Sequence, residues 1–234
     1  MKINIIDVGC RGGLFHPWKS KKNLGKIGFV LGFDIGGTGA FLKQLLKHNI
    51  NHSVIKKLVF NKEKVDMFCY NRGEVSSIFE IDEDLVQEYI MSVNKRHVKT
   101  KSRLASRKNQ FVLYKVETYE AIKLSNAIKD TNVNFDFLKI DTQGSEYQVL
   151  ESAEDYLIKD IVAVHVELFF KPLYKGAFLF KDVNKLLKSR NFILYKRLDR
   201  ESNWSSDFLY IRKDSDKIEK IKTIKKVYNK SGYG

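Results

Sequence analysis

A short apolar run that ends in a glycine-rich turn constrains the fold of this chain most strongly. The run is Ile3–Val8, and the turn that follows holds Gly9, Gly12 and Gly13. A short apolar segment stopped by glycine is typical of a buried strand in a parallel sheet. Glycine also lets the backbone turn sharply and approach a bound molecule closely. We therefore predict a first strand whose carboxyl end forms part of a ligand site.

Strand-like and helix-like segments alternate along most of the chain, which predicts an α/β fold with an open, mostly parallel sheet and helices on both faces. The last two predicted strands are joined by a short connection, so we expect an antiparallel hairpin at one edge of the sheet. Strands are predicted at 3–8, 28–35, 135–141, 161–168, 192–198 and 208–212, with one or two more within 54–60 and 65–70, and helices at 41–48, 146–157 and 180–190.

The length of 234 residues suits a single α/β domain with a full core. We assign residues 1–212 to one domain. Within it, segment 83–108 is polar and then basic, and we predict an insertion or lid on the ligand-binding side. Residues 213–234 are predicted to form a lysine-rich C-terminal tail, either a frayed helix or disordered.

Composition excludes several classes of protein. A hydrophobic content of 43% is typical of a globular chain, no apolar run approaches the roughly 18 residues of a membrane helix, and no signal peptide is recognisable. We therefore expect a cytoplasmic protein without a transmembrane segment. Cys10 and Cys69 belong to no CxxC or Cys/His pattern, so we predict neither a disulfide framework nor a zinc site.

The chain is strongly basic, with a formal net charge of +14 from 42 basic and 28 acidic residues. The excess is concentrated in 94–108 and from Lys213 onward. It is compatible with nucleic acid, an anionic membrane surface or an anionic substrate. Most of the basic residues are lysine, and the chain has two prolines and many Asn and Ile. A coding sequence biased toward A and T also produces such a composition. Charge alone therefore identifies no partner.

Two acidic residues near the ends of the first two predicted strands favour one cofactor. Asp7 stands where a phosphate-binding G-x-G-x-x-G turn has glycine, and S-adenosylmethionine carries two cationic groups and no phosphate. Asp34, 21 residues beyond Gly13, ends the second strand, where a carboxylate can accept hydrogen bonds from both ribose hydroxyls. Arg11 is expected to reach the cofactor carboxylate or an acidic acceptor, with a surface charge on an exposed turn as the open alternative. The predicted cofactor-binding residues are Asp7, Gly9, Arg11, Gly12, Gly13 and Asp34.

Several further segments, taken together, resemble one protein family. The stretch 136–150, which contains Lys139-Ile-Asp-Thr-Gln-Gly-Ser-Glu146, is similar to the most diagnostic segment of the FkbM-type methyltransferases. Members of that family commonly carry Glu-Pro where this chain has Asp34 and Ile35. Further segments of this chain resemble other parts of that family, in the expected order and up to about Arg212. They are 73–80, 165–168, 172–176, 180–183, 191–195 and 207–212.

The resemblance implies the class I (Rossmann-like) methyltransferase fold with a seven-stranded sheet, S-adenosylmethionine as methyl donor, and O-methylation of a hydroxyl. Acceptors in the family are often sugars of surface glycans or groups on natural products. The serine pair Ser76 and Ser77 matches a family segment and is predicted to contact substrate. Tyr174 and Lys175, in the loop after the fifth strand, are predicted to contact the acceptor as well, with a packing role as the open alternative for Tyr174.

Methyl transfer to a hydroxyl needs alignment of the reacting atoms and help in removing a proton. Asp141, Glu146 and Glu167 are the predicted catalytic residues, because the ends of successive strands meet at one edge of a sheet. Structural alternatives stay open for these residues. Glu146 would place a favourable charge at a helix N-terminus, and Asp141 and Glu167 would be ordinary turn residues at strand ends. His165 would be a buried core residue with its hydrogen bonds satisfied. No metal is indicated, although Asp141 and Glu167 are the pair that would hold a divalent ion.

The sequence therefore predicts an S-adenosylmethionine-dependent O-methyltransferase acting on a hydroxyl of a sugar, a glycan or another small molecule. Two alternatives stay open. A nucleic-acid methyltransferase would use the basic surface, but the chain lacks an Asn/Asp-Pro-Pro-Tyr motif and a separate recognition domain. A non-catalytic binding module would keep the fold without the chemistry. The presence of Asp141, Glu146 and Glu167 argues against this alternative. No oligomeric state is predicted.

Overall fold

The computed structural model describes residues 1–93, 101–198 and 202–230. The strands are β1 (Ile3–Val8), β2 (Ile27–Phe33), β3 (Asn51–Ile55), β4 (Leu58–Val59), β5 (Lys64–Tyr70), β6 (Leu113–Ile122), β7 (Phe137–Ile140), β8 (Ala163–Phe169), β9 (Phe192–Arg197) and β10 (Ser205–Arg212). The helices are α1 (Lys21–Leu24), α2 (Gly39–Lys47), α3 (Glu83–Val93), α4 (Lys101–Asn109), α5 (Leu124–Lys129), α6 (Glu146–Ser152), α7 (Asp155–Lys159), α8 (Phe180–Ser189) and α9 (Ile218–Asn229).

Seven strands form the main sheet in the order β3-β2-β1-β7-β8-β10-β9. Parallel pairing joins β3, β2, β1, β7 and β8, whereas β10 runs antiparallel to both β8 and β9. The predicted mostly parallel sheet with an antiparallel hairpin at one edge is confirmed. The strand order reverses beside β1, which is where sheets of this kind bind ligands.

Helices cover both faces of the sheet because its central strands are apolar on both sides. In β1, Ile6 and Val8 join the core under α5, α6 and α8, while Ile3 and Ile5 join the core under α1, α2 and α9. All four residues of β7 are buried. Among the described residues, no helix is long and apolar enough to cross a membrane.

A second, three-stranded sheet has the order β4-β6-β5 and closes one side of the ligand cleft. The predicted strand at 65–70 belongs to this sheet, as β5, and the predicted segment 54–60 is divided between β3 and β4. No strand was predicted at β6. Most residues of β6 are exposed, so its sequence lacks the apolar alternation that marks a half-buried strand.

Two predicted elements differ from the structure in their extent. The helix predicted at 146–157 is interrupted between α6 and α7, where Glu154 has a φ of 50°. The segment predicted as an insertion or lid holds α3 and α4, and α3 is docked through Val86 and Ile90 into a core cluster with Tyr70. Residues 94–100 of that segment lie outside the described residues.

The predicted C-terminal tail contains an ordered element of the domain. Helix α9 buries Ile224, Val227 and Tyr228 against the sheet. Lys217 and Lys220 form ion pairs with Asp136, whose carboxylate is fully buried. The apolar spacing in this lysine-rich helix therefore packs on the core, and the folded unit continues past residue 212.

Candidate active site

A cleft opens beyond the carboxyl ends of β1, β2 and β7, at the point where the strand order reverses. Its cavity volume is about 140 Å³, and the cleft opens to solvent at its mouth. The strand ends contribute Gly9, Asp34 and Asp141 to its wall. The opposite wall comes from the second sheet and from segment 73–78.

Gly9 allows the turn after β1 to pass directly against the end of β7. Its φ is +82°, and a Cβ atom at this position would lie 2.0 Å from the backbone oxygen of Asp141. No side chain fits there. Gly12 and Gly13 also have positive φ but do not line the cleft. They shape the turn, which Gln44 of α2 anchors by accepting a 2.7 Å hydrogen bond from the backbone N–H of Leu14.

Asp34 and Arg11 form an ion pair inside the cleft wall. The Arg11 Nη2 atom lies 3.2 Å from Asp34 Oδ1, and the backbone N–H of Gly36 donates to the same oxygen at 2.9 Å. Within the residues that the structure describes, the second carboxylate oxygen of Asp34 accepts no hydrogen bond, so it can accept one from a ligand. Arg11 also lines the cleft, so its predicted contact with the cofactor carboxylate or an acidic acceptor stays a prediction.

Asp7 is fully buried and does not line the cleft. Strand alternation turns its side chain toward the face covered by α9, where Lys139 Nζ lies 3.2 Å from its Oδ1 atom. Burial raises the pKa of Asp7, and Lys139 opposes that rise. The prediction that Asp7 contacts the cofactor is therefore corrected: its carboxylate faces a lysine inside the sheet.

The buried ammonium group of Lys139 contacts Asp7, Gly9 and Asp141. Besides contacting Asp7, its ammonium group donates to the backbone oxygen of Gly9 at 3.0 Å and lies 3.6 Å from Asp141 Oδ2. Burial opposes the charged form, yet the two carboxylates raise the pKa of Lys139 above its usual value. A positive charge is thereby held beneath the cleft beside Asp141.

Asp141 and Glu167, two of the predicted catalytic residues, are brought together by Gln143. The Gln143 Nε2 atom donates to Asp141 Oδ1 at 2.9 Å and to Glu167 Oε2 at 3.0 Å. Asp141 lines the cleft with 42% of its side chain exposed, whereas Glu167 lies outside the lining. Burial raises the pKa of Glu167, and the nearby carboxylates of Asp141 and Asp207 raise it further.

Glu146 supports the loop between β7 and α6 and does not line the cleft. Its buried carboxylate accepts hydrogen bonds from the backbone N–H groups of Thr142 and Gly144 and from the Thr142 hydroxyl, at 3.0–3.1 Å. Burial raises the pKa of Glu146 against the effect of these donors. The position favours the structural alternative, a carboxylate that organises a helix N-terminus.

The predicted substrate residues fall into two groups. Ser76 and Ser77 line the cleft, and the Ser77 hydroxyl donates to the backbone oxygen of Gln143 at 2.6 Å. Tyr174 is buried, and its hydroxyl contacts Gln143 Oε1 at 2.9 Å. Lys175 is exposed and pairs with Glu80. Neither Tyr174 nor Lys175 lines the cleft, so a direct contact with acceptor is not what their positions favour.

His165 is a satisfied core residue, as its structural alternative predicts. Its Nδ1 atom lies 2.8 Å from the hydroxyl of Tyr228, and its Nε2 atom lies 3.0 Å from Asp207 Oδ1. Although burial acts in the opposite sense, the hydrogen bond with His165 holds the pKa of Asp207 below its usual value.

A metal site is not apparent between Asp141 and Glu167. The amide of Gln143 donates to both carboxylates, which places hydrogen atoms where a cation would need ligand oxygens. In the part of the chain that the structure describes, no three His, Cys, Asp or Glu side chains are grouped as a metal site.

Sequence reasoning missed Gln143 and the apolar wall of the cleft. Leu58, Val59, Met67 and Ile78 line it from the second sheet and the segment beyond, and these side chains meet the strand ends only in the folded chain. Gln143 stands between Asp141 and Gly144 in the stretch that carries the family resemblance, and that stretch is the signal that could have identified it.

Comparison with known proteins agrees with this geometry. The family described as "Methyltransferase FkbM domain" matches residues 42–194, more than half of the chain. The matched range includes the serine pair, the loop from Asp141 to Glu146, and Glu167, and it begins after the glycine-rich turn. A search of curated proteins found no match.

Proposed function

The chain belongs to the FkbM methyltransferase family, and from this premise we propose that it is an S-adenosylmethionine-dependent O-methyltransferase acting on a hydroxyl of a sugar, a glycan or another small molecule. One observation carries the proposal: Gly9, Asp34 and Asp141 line the same cleft at the reversal of strand order. Candidate cofactor-binding and catalytic groups therefore share one space.

The residues of the cleft fit S-adenosylmethionine. Asp34 supplies a carboxylate oxygen for the ribose hydroxyls, and Leu58, Val59 and Ile78 supply an apolar surface for the adenine ring. Gly9 leaves the backbone open to close approach. The bound cofactor would supply an electrophilic methyl group on a positively charged sulfur.

The carboxylates beside the cleft are suited to accept the proton of an acceptor hydroxyl. Asp141 is the one whose side chain reaches the cleft, and Gln143 joins it to Glu167. A carboxyl with a raised pKa, such as that of Glu167, is a better base near neutral pH than an ordinary glutamate. Lys139 beneath Asp141 keeps part of this negative charge compensated.

The proposal is tested by incubating the protein with methyl-labelled cofactor and a panel of glycans, nucleotide sugars, small hydroxyl compounds, RNA and DNA, with mass spectrometry as the readout. We expect methylation of a sugar or small hydroxyl compound. Asp141→Asn should lower turnover at least about 100-fold, the size of a lost general base. Asp155→Asn is the matched control, because its side chain is 74% exposed in α7.

Two results would contradict the proposal. Methylation of nucleic acid alone would favour the basic surface as the substrate site. Binding of the cofactor without methylation of any acceptor in the panel would favour a binding module.

A further inference from the structure

Gln143 lies where three parts of the candidate site meet, and both polar atoms of its side chain form hydrogen bonds there. Its Nε2 atom donates to Asp141 Oδ1 at 2.9 Å and to Glu167 Oε2 at 3.0 Å, and its Oε1 atom accepts from the hydroxyl of Tyr174 at 2.9 Å. Through one amide, the end of β7, strand β8 and the loop after β8 are connected at the cleft wall.

The backbone of Gln143 is held in an uncommon conformation. Its φ is +58°, a left-handed value that strains a non-glycine residue. Such a conformation persists when neighbouring contacts hold it. Ser77 donates to the Gln143 backbone oxygen at 2.6 Å, and Glu146 accepts from the N–H groups of Thr142 and Gly144 on either side. The fold thus maintains the direction in which this side chain leaves the loop.

The two carboxyl groups orient the amide, because Nε2 faces an oxygen of Asp141 and an oxygen of Glu167. Oε1 then lies 2.9 Å from the Tyr174 hydroxyl, whose proton also has the backbone oxygen of Val75 within reach at 3.1 Å. Only an amide of this length supplies one acceptor and two donors together. A glutamate would remove both N–H donors and add a further carboxyl group beside Asp141 and Glu167, and like charges at such short range repel.

We propose that Gln143 is a positioning residue for methyl transfer, whose amide holds the carboxylates of Asp141 and Glu167 in a single arrangement with Asp141 presented to the cleft. The effect of Gln143 on catalysis rests on the proposed function. The hydrogen-bond arrangement itself is testable without cofactor or acceptor.

The first test is nuclear magnetic resonance of the side-chain amides in nitrogen-15-labelled protein. The Gln143 signals are assigned by their loss in Gln143→Gly. We expect Asp141→Asn to shift mainly one of the two amide protons and Glu167→Gln to shift mainly the other, while the exposed control Asp155→Asn shifts neither. Two amide protons that respond to neither substitution would overturn the proposal.

The second test compares Gln143→Gly with Gln143→Glu in methyl transfer. Glycine adopts a φ of +58° without strain, so the Gly variant removes the amide and keeps the backbone conformation accessible. We expect both variants to lower kcat by about 10- to 100-fold, as displaced catalytic groups do, with a much smaller change in KM for the cofactor. A Gly variant with the kcat of the wild type would show that only the backbone matters and would overturn the proposal.

The two tests separate the inference from the proposed function. If the wild-type protein binds no S-adenosylmethionine, the proposed function fails while the amide resonances still decide whether Gln143 joins the carboxylates. If the protein methylates an acceptor and the amide resonances are indifferent to Asp141 and Glu167, the function stands and the positioning role of Gln143 falls.

Discussion

At the scale of single residues, two glycines of one turn have the same backbone conformation and different surroundings. Gly9 and Gly12 both have a φ of +82°. A Cβ atom at Gly9 would collide with the backbone of Asp141, whereas a Cβ atom at Gly12 would meet nothing within 4 Å. The pair therefore separates the cost of the left-handed conformation from the cost of steric exclusion at the cleft.

Alanine substitution at these two positions should have unequal effects. We expect Gly12→Ala to lower the free energy of unfolding by about 1–2 kcal/mol, the cost of left-handed backbone, and Gly9→Ala to lower it by at least about 3 kcal/mol because β1 and β7 must also move apart. Chemical denaturation measures both. Equal losses at the two positions would contradict the close approach of Gly9 and Asp141.

Glu167 should make stability depend on pH in a defined direction. Because burial and nearby carboxylates raise its folded-state pKa, the folded protein retains a proton that the unfolded chain releases. The stability that this provides is complete below the unfolded pKa and is lost as the pH rises through the folded pKa. Glu167→Gln is therefore expected to raise Tm relative to the wild type at about pH 8, and to raise it less at about pH 5.

Thermal unfolding at both pH values checks this, with Glu151→Gln on the exposed side of α6 as the control. If Glu167→Gln raised Tm equally at both pH values, the gain would not come from removing the buried negative charge of Glu167.

Sequence spacing located some site residues and missed others for a physical reason. Gly9, Asp34 and Asp141 follow strands, so their place at the sheet edge was predictable from strand ends alone. Asp7 was misplaced because it lies within β1, where alternation turns it toward Lys139. The role of Gln143 depends on partners 24 and 31 residues away, which local patterns do not encode.

At the scale of elements, the loop between β7 and α6 is held by the carboxylate of the first residue of α6. Glu146 accepts from Thr142 and Gly144 while buried. Removing it would leave backbone N–H groups without partners next to Asp141 and Gln143. The sequence offered this residue as either catalytic or structural, and its contacts favour the structural role.

Glu146→Ala is expected to lower the free energy of unfolding by at least about 2 kcal/mol, because buried donors lose their acceptor. Glu151→Ala, on the same helix and exposed, should change it by less than about 0.5 kcal/mol. Urea denaturation provides the comparison. A Glu146→Ala protein as stable as the wild type would show that the loop does not depend on this carboxylate.

Elements with strong apolar patterns were predictable, and those stabilised by tertiary contacts were not. The buried strands β1, β7 and β8 were predicted from their short apolar runs. Strand β6 was missed because most of its residues are exposed. Helix α9 was taken for a tail because its lysines obscure an apolar stripe that acquires a partner only when the sheet is present.

At the scale of the whole molecule, helix α9 packs against the main sheet and contacts its strands. The hydroxyl of Tyr228 in α9 lies 2.8 Å from Nδ1 of His165 in β8, and His165 in turn contacts Asp207 in β10. The C-terminal helix therefore supports strands on the side of the sheet that carries Glu167. Loss of its packing should destabilise the whole domain.

Val227→Asp places a charge in this interface and is expected to lower the free energy of unfolding by at least about 3 kcal/mol. Lys226→Asp introduces the same side chain at the adjacent exposed position and should cost less than about 1 kcal/mol. Denaturation curves of the two variants are compared with the wild type. Similar small losses in both would indicate that α9 does not contribute to the core.

The central claim is that the cleft binds S-adenosylmethionine through the ends of β1 and β2. Isothermal titration of this cofactor into the wild type, Asp34→Ala and the exposed control Asp155→Ala tests it most directly. We predict one site per chain in the wild type and the control, and affinity about 10- to 100-fold weaker in Asp34→Ala, as expected for lost hydrogen bonds to a charged group. No binding by the wild type, or equal affinity in all three proteins, would contradict the claim.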